Sequence, residues 1–234
     1  MVRRQSFFIV GALLTILGSS MFFSVAWSLF YGEGDLTPLL QSIAVTLGFG
    51  LIMMISFRSK VKKELSMHDG FAVVTMGWVA MAIFSALPFY FSGLLSYTNS
   101  FFEAMSGLTT TGASILGHSN TLKIEDMPHG LLFWRSFTHF IGGMGIIVFS
   151  IAILPMLGMA GVQLFRAEVA GPVADKLTPR VKQTAKLLWG IYVGFVLLET
   201  LILRIEGLTW FDALCHSFAT MATGGFSTNT ASIG

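Results

Sequence analysis

Long uncharged stretches alternate with short polar ones along this chain, and the lengths of the uncharged stretches define its elements. Gln5 to Phe30 and Leu36 to Phe57 contain no charged side chain, and each exceeds the roughly 20 apolar residues that a membrane-crossing helix needs. Only Tyr31-Gly32-Glu33-Gly34-Asp35 separates them, which predicts a helical hairpin. Gly70 to Phe102 is a third uncharged run of 33 residues, too long for one crossing and too short for two. Pro88, Ser92 and Gly93 mark the end of its span, leaving Thr98 to Leu108 as a shorter piece. Two further spans are predicted, from about Gly130 to Leu154 and from about Leu187 to Leu203.

The short piece begins Ser100-Phe101-Phe102-Glu103, a capping-box pattern in which the Ser100 hydroxyl and the Glu103 carboxylate satisfy the first free amides of a helix. About three helical turns cannot cross a bilayer about 30 Å thick, so this element is expected to enter and come back. Thr209-Trp210-Phe211-Asp212 repeats the pattern with Asp212 in place of Glu and opens a second short helix to about Met221. Each is followed by small hydroxyl residues and glycine: Leu108-Thr109-Thr110-Thr111-Gly112-Ala113-Ser114 and Ala222-Thr223-Gly224-Gly225-Phe226-Ser227-Thr228. Gly112 and Gly224 lie 112 residues apart, but Ser100 precedes its glycine by 12 and Thr209 by 15, so the repeat reads as divergent. Non-helical backbone at membrane depth is tolerated only where protein buries it or where it lines a wet cavity. Thr109 to Ser114 and Ala222 to Thr228 are therefore expected to face a pore open to the outside. Short side chains there leave carbonyl oxygens free to replace the water shell of an alkali cation.

Composition agrees with the pattern: 54% of residues are hydrophobic and 11% charged, against about 25% charged in a soluble domain. Placement of the positive charges sets the sidedness. If the first short helix re-enters without crossing, 11 of the 14 Lys and Arg residues fall on the cytoplasmic side, the exceptions being Lys123, Arg135 and Arg204. If it crossed, the basic stretch from Arg166 to Lys186 would face outward. The fold class expected is thus an all-α polytopic membrane protein with a cytoplasmic N-terminus. The first run is read as a span, because its 26 residues exceed the apolar core of a secretory signal.

Several residues test other chemistries. Cys215, the single cysteine, excludes a disulfide within the chain. His68, His118, His129, His139 and His216 show no metal-ligand spacing, and His139 and His216 are read as packing or hydrogen-bonding residues. Glu103 and Asp212 could hold a cation in a vestibule, but the capping role is preferred. Glu199 is an intramembrane carboxylate, costly and often functional, though it lies near the outer end of its span. Arg135 could repel cations, pair with a carboxylate, or snorkel to the interface. Gly112-Ala113-Ser114 is reminiscent of an intramembrane serine nucleophile, yet Ile115 stands where that motif needs glycine. Metalloprotease and nucleotide-binding signatures are absent, so no catalytic residue is expected.

Together with the two Thr/Gly loops, Phe140-Ile141-Gly142-Gly143-Met144-Gly145-Ile146-Ile147, Leu164-Phe165-Arg166-Ala167-Glu168, Gly171-Pro172 and Leu177-Thr178-Pro179-Arg180 resemble the membrane subunit of the bacterial Trk/Ktr potassium uptake family. The resemblance implies a helix pair followed by helix, pore loop, helix repeats of the potassium-channel type, with one loop per repeat contributing backbone carbonyls to a potassium filter. By match, Thr110, Thr111 and Gly112 would bind potassium in the first repeat and Ala222, Thr223 and Gly224 in the second, flanked by Thr109, Ala113 and Gly225. It also implies a bacterial inner-membrane location, a homodimer, and a cytoplasmic nucleotide-binding regulatory subunit; no nucleic-acid partner is expected. The organisation expected is a hairpin over 1–57, a complete repeat over 58–160, and a linker with a second, truncated repeat over 161–234. Family members carry four repeats, so this sequence is expected to be the N-terminal half. An ion-coupled secondary cation transporter, with potassium/proton or potassium/sodium symport, is the alternative.

Overall fold

The computed structural model describes residues 4–58, 67–117, 122–153 and 177–232. The basic stretches within 59–66 and 154–176, on which the sidedness expectation largely rests, lie outside the described residues, as does His118. Among the described residues all regular structure is helical.

Helices α1 (Arg4–Ser20) and α2 (Phe22–Tyr31) form one 28-residue apolar rod interrupted at Met21. The rod ends at Gly32, whose left-handed φ of 67° lets its amide donate to the Ser28 carbonyl at 2.8 Å. Helix α3 (Leu36–Ser56) returns antiparallel against α1. The two backbones approach closely where Gly11 faces Gly50, since a Cβ on Gly11 would lie 2.9 Å from the Gly50 carbonyl oxygen. The predicted hairpin is therefore present.

Helix α4 (Met67–Ser85) and the five-residue α5 (Leu87–Phe91) make the next rod, broken where Pro88 enters the first turn of α5. The short helix α6 (Tyr97–Leu108) follows, then a 3-10 turn at Ile124–Asp126, the long helix α7 (His129–Ile153), α8 (Leu177–Ile205) and a second short helix, α9 (Trp210–Met221). Among the described residues four rods are long and apolar enough to cross a membrane: Arg4–Tyr31, Leu36–Ser56, Asp69–Phe91 and Gln183–Ile205. At 1.5 Å per residue, the 12 residues of α6 or α9 reach only about 18 Å.

Burial is arranged around α7. Every residue from Leu131 to His139 is buried, and α7 contacts α2, α6, α8 and α9. The outer surface is apolar instead: Ile16, Phe30, Ile55, Leu187 and Ile205 are all exposed. A soluble domain does not show so many exposed large apolar residues together, whereas lipid accommodates them.

Candidate functional site

The two short helices and the turns after them correspond in bounds and in left-handed positions at an offset of 113. Ser96 caps α6 by accepting from the Asn99 amide at 3.4 Å, and Thr209 caps α9 by accepting from the Asp212 amide at 3.1 Å. Thr209 also donates to the Asp212 carboxylate, so the hydroxyl half of the second predicted cap is present while the carboxylate bonds that hydroxyl rather than a free amide. The first is corrected: Ser100 is not the cap but a buried residue inside α6, its hydroxyl donating to the Ser96 carbonyl at 2.9 Å. Glu103 does not cap either, because its carboxylate is bonded elsewhere. The apparent divergence between the two helices disappears once Ser96 replaces Ser100.

Both helices close with the same Schellman arrangement. In the first, Thr110 N–H donates to the Gly107 carbonyl at 3.0 Å and Thr111 N–H to the Ser106 carbonyl at 2.9 Å. In the second, Thr223 N–H donates to Thr220 at 2.8 Å and Gly224 N–H to Ala219 at 2.8 Å. The left-handed position of this motif normally falls to glycine, yet here it is held by Thr110 (φ 54°) and Thr223 (φ 57°). A β-branched residue in that region costs about 1–2 kcal/mol. Two residues on, Gly112 (φ 73°) and Gly225 (φ 85°) take a second left-handed turn. Backbone torsions thus align Thr110 with Thr223, Thr111 with Gly224 and Gly112 with Gly225. Aligning Gly112 with Gly224 is one residue out of register.

Beyond each turn the backbone has no regular structure, and among the described residues no donor is bonded to the carbonyls of Thr109 to Ser114 or Ala222 to Phe226. The loops meet: a Cβ added to Gly112 would overlap the Gly224 carbonyl oxygen, and one on Gly224 would strike the His139 ring. Thr109 turns its hydroxyl back to the Met105 carbonyl and to Thr111 Oγ1, both at 2.8 Å, while Ala113 is exposed.

Behind the loops sits a fully buried ion pair. Arg135 Nε, on α7, donates to Glu103 Oε1 at 2.7 Å, with side-chain exposures of 2% and 0%. The same oxygen accepts from the Ser114 hydroxyl at 2.8 Å, and Oε2 accepts from the Ile115 amide at 3.2 Å, both where the first loop ends. Arg135 also reaches the second loop: Nη1 donates to the Ser227 carbonyl at 2.9 Å, and the guanidinium lies 3.7 Å from the centre of the Phe226 ring. Phe226 stacks in turn on His139 at 4.1 Å. Of the three roles open to Arg135 in sequence, pairing with a carboxylate is the one realised.

Beside the N-terminal ends of α7 and α9 an open cavity of about 400 Å³ is lined by Glu125, His129, Phe211, Asp212, His216 and Thr228. Asp212 accepts from the Thr228 hydroxyl at 2.7 Å, so its carboxylate serves the helix cap and the second loop together. Among the described residues no group of three His, Cys, Asp or Glu side chains is placed to hold a metal ion. Cys215 is buried and free, and Glu199 is partly exposed on α8 beside Thr220.

Sequence reasoning missed Ser96 and, although Phe226 and Ser227 lie in the second predicted loop, their contact with Arg135. Ser96 carried a signal, since Ser96-x-x-Asn99 matches Thr209-x-x-Asp212 at the same offset of 113. Nothing local in the sequence marks Phe226 and Ser227 as partners of Arg135, about 90 residues earlier.

A family model described as TrkH, cation transport protein, matches residues 39–234. The chain is 44% identical over 229 residues to the Trk system potassium uptake protein TrkH of Escherichia coli K12, covering 97% of this chain and 46% of that one. It is 38% identical over 174 residues to the Trk system potassium uptake protein TrkG of the same organism, covering 73% and 35%. The crystal structure of the potassium transporter TrkH from Vibrio parahaemolyticus matches with a TM-score of 0.83 at 36% identity, over 98% of this chain and 45% of that one. The chain spans about half the length of the curated relatives it matches.

Proposed function

Given that the chain belongs to the TrkH family of cation transport proteins, we propose that it forms part of a potassium uptake pathway through a membrane. The ion would be selected by main-chain oxygens of Thr109 to Gly112 and of Ala222 to Gly225. The observation that carries this reading is the pair of loops itself: two short helices with matched caps and matched ends, whose loop carbonyls accept no hydrogen bond among the described residues and which meet at Gly112 and Gly224. Potassium is the substrate here; it loses water and gains carbonyl contacts of comparable strength. The C-terminal ends of α6 and α9 are directed at the loops and add a partial negative charge there.

The torsional alignment shifts the expected ligand set by one residue in the second loop. Thr110, Thr111 and Gly112 remain in the proposed filter, now opposite Thr223, Gly224 and Gly225, with Thr109 opposite Ala222. A ring around an ion needs more than two loops, so further loops of the same kind complete it. The division into a hairpin (1–57), a first repeat (58–160) and a linker with the opening of a second (161–234) is proposed on the same grounds. Assembly with a second copy and with a nucleotide-binding regulatory subunit on the cytoplasmic face of a bacterial inner membrane rests on the family resemblance.

The test is cation uptake by the complete gene product in bacteria lacking their own potassium uptake. Gly112→Ser places a side chain against the Gly224 carbonyl at a left-handed φ, so discrimination of potassium over sodium should fall. Unchanged discrimination at normal membrane abundance would refute the assignment. Uptake that depended on a fixed stoichiometry with protons or sodium would favour the secondary-transporter alternative.

A further inference from the structure

We propose that Arg135 and Glu103 are positioning residues that hold the two loops in mutual register and thereby set cation selectivity. The inference rests on the pore-loop reading above. It deepens that reading by naming what fixes the distance between adjacent loops.

Glu103 is rooted in α6, and its two oxygens grip the exit of the first loop at Ser114 and Ile115. Arg135 is rooted in α7 and grips the exit of the second loop at Ser227, with Phe226 lying flat beneath the guanidinium. The 2.7 Å bond between them closes a chain of contacts from one loop to the other. Each anchor leaves its loop two or more residues past the second left-handed glycine, where the backbone has no ladder of its own. Because Arg135 is forked and planar, it serves Glu103 and Ser227 simultaneously; a lysine ammonium on its flexible stem does not reproduce that geometry.

The pair also matters electrically. Two like charges about 10 Å apart at an effective dielectric of about 20 repel enough to weaken binding about tenfold, so an unneutralised Arg135 guanidinium would oppose a cation at the loops. Glu103 cancels that charge. In the second unit His216 stands at the position corresponding to Glu103, and among the described residues the Glu103–Arg135 pair contacts both loops.

The experiment measures KM and maximal rate for potassium, and the potassium-to-sodium uptake ratio, in the complete gene product at matched membrane abundance. Arg135→Lys keeps the charge and loses the fork: the ion ratio should fall about fivefold or more while KM for potassium changes little. Glu103→Gln leaves the cation unneutralised: KM should rise about tenfold, and Glu103→Gln with Arg135→Gln should return KM toward the starting value without restoring the ion ratio. Ser114→Ala removes one anchor without touching a charge, and keeps the inference testable if the charge variants fail to fold; it too should relax the ion ratio. Gly112→Ser serves as the reference. If Gly112→Ser relaxes selectivity while Ser114→Ala and Arg135→Lys do not, the brace is wrong and the filter stands. If Gly112→Ser has no effect, the filter assignment itself fails.

Discussion

Gly142 offers a direct measure of how closely α6 is pressed into α7. A Cβ built there would fall well inside 3.0 Å of the Leu108 carbonyl oxygen, with Leu108 Cα at 3.1 Å. Those atoms are backbone and cannot rotate away. Overpacking a well-filled site costs about 1–3 kcal/mol, and the upper end applies where no rotamer relieves it. Alanine recovers up to about 1 kcal/mol over glycine inside a helix. Gly142→Ala should therefore lose about 2 kcal/mol net and lower Tm. Gly48, in α3, is the counterpart: nothing lies within 4 Å of its added Cβ, so Gly48→Ala should gain up to about 1 kcal/mol and raise Tm. Thermal unfolding of both variants of the complete gene product in one detergent decides the matter. If the two substitutions shift Tm in the same direction, the close backbone contact is not what holds α6 against α7.

Two other outcomes follow from the loops. Thr110→Gly removes a left-handed strain of about 1–2 kcal/mol at the cost of about 0.5–1 kcal/mol of chain entropy, so stability should rise by up to about 1 kcal/mol, whereas Thr109→Gly, at φ −83° and with its hydroxyl bonded twice, should lose stability in the same unfolding assay. Outside the spans, hydrogen bonds from Thr230 hold the Glu125 carboxyl below its ordinary value; a depressed carboxylate stabilises above its unfolded pKa and loses that contribution as pH falls through the folded one, so protection of the Thr230 amide from hydrogen exchange should drop on acidification and be pH-independent in Glu125→Gln.

The spans were legible because uncharged length is a property of consecutive residues, and the hairpin, the long helices and both short helices fall where the runs put them. Thr209 was legible as a cap because its partner, Asp212, is three residues away. The same logic misassigned Ser100 and Glu103: Ser-x-x-Glu fits a capping box, but Glu103 finds a stronger partner in Arg135, 32 residues later and invisible to any local pattern. With the cap set four residues late, the repeat looked uneven, and the glycines were matched at 112 rather than 113. The offset of 113 between Ser96 and Thr209 points to the right register, and the torsions settle it, since Gly224 and Gly225 are adjacent and alike in sequence but only Gly225 is left-handed.

The turn between α2 and α3 carries a consequence for biogenesis. Glu33 accepts from the His129 amide at 2.6 Å, and Asp35, buried and also bonded by Ser28, accepts from the Leu131 amide at 3.1 Å. The first turn of α7 is thus completed by carboxylates made almost a hundred residues earlier. As synthesis proceeds from the N-terminus, the hairpin enters the bilayer with its acceptors already presented, and α7 arrives to a prepared seat. A circularly permuted gene that delivered the hairpin last would insert α7 with those amides bare, and maturation should stall at that step.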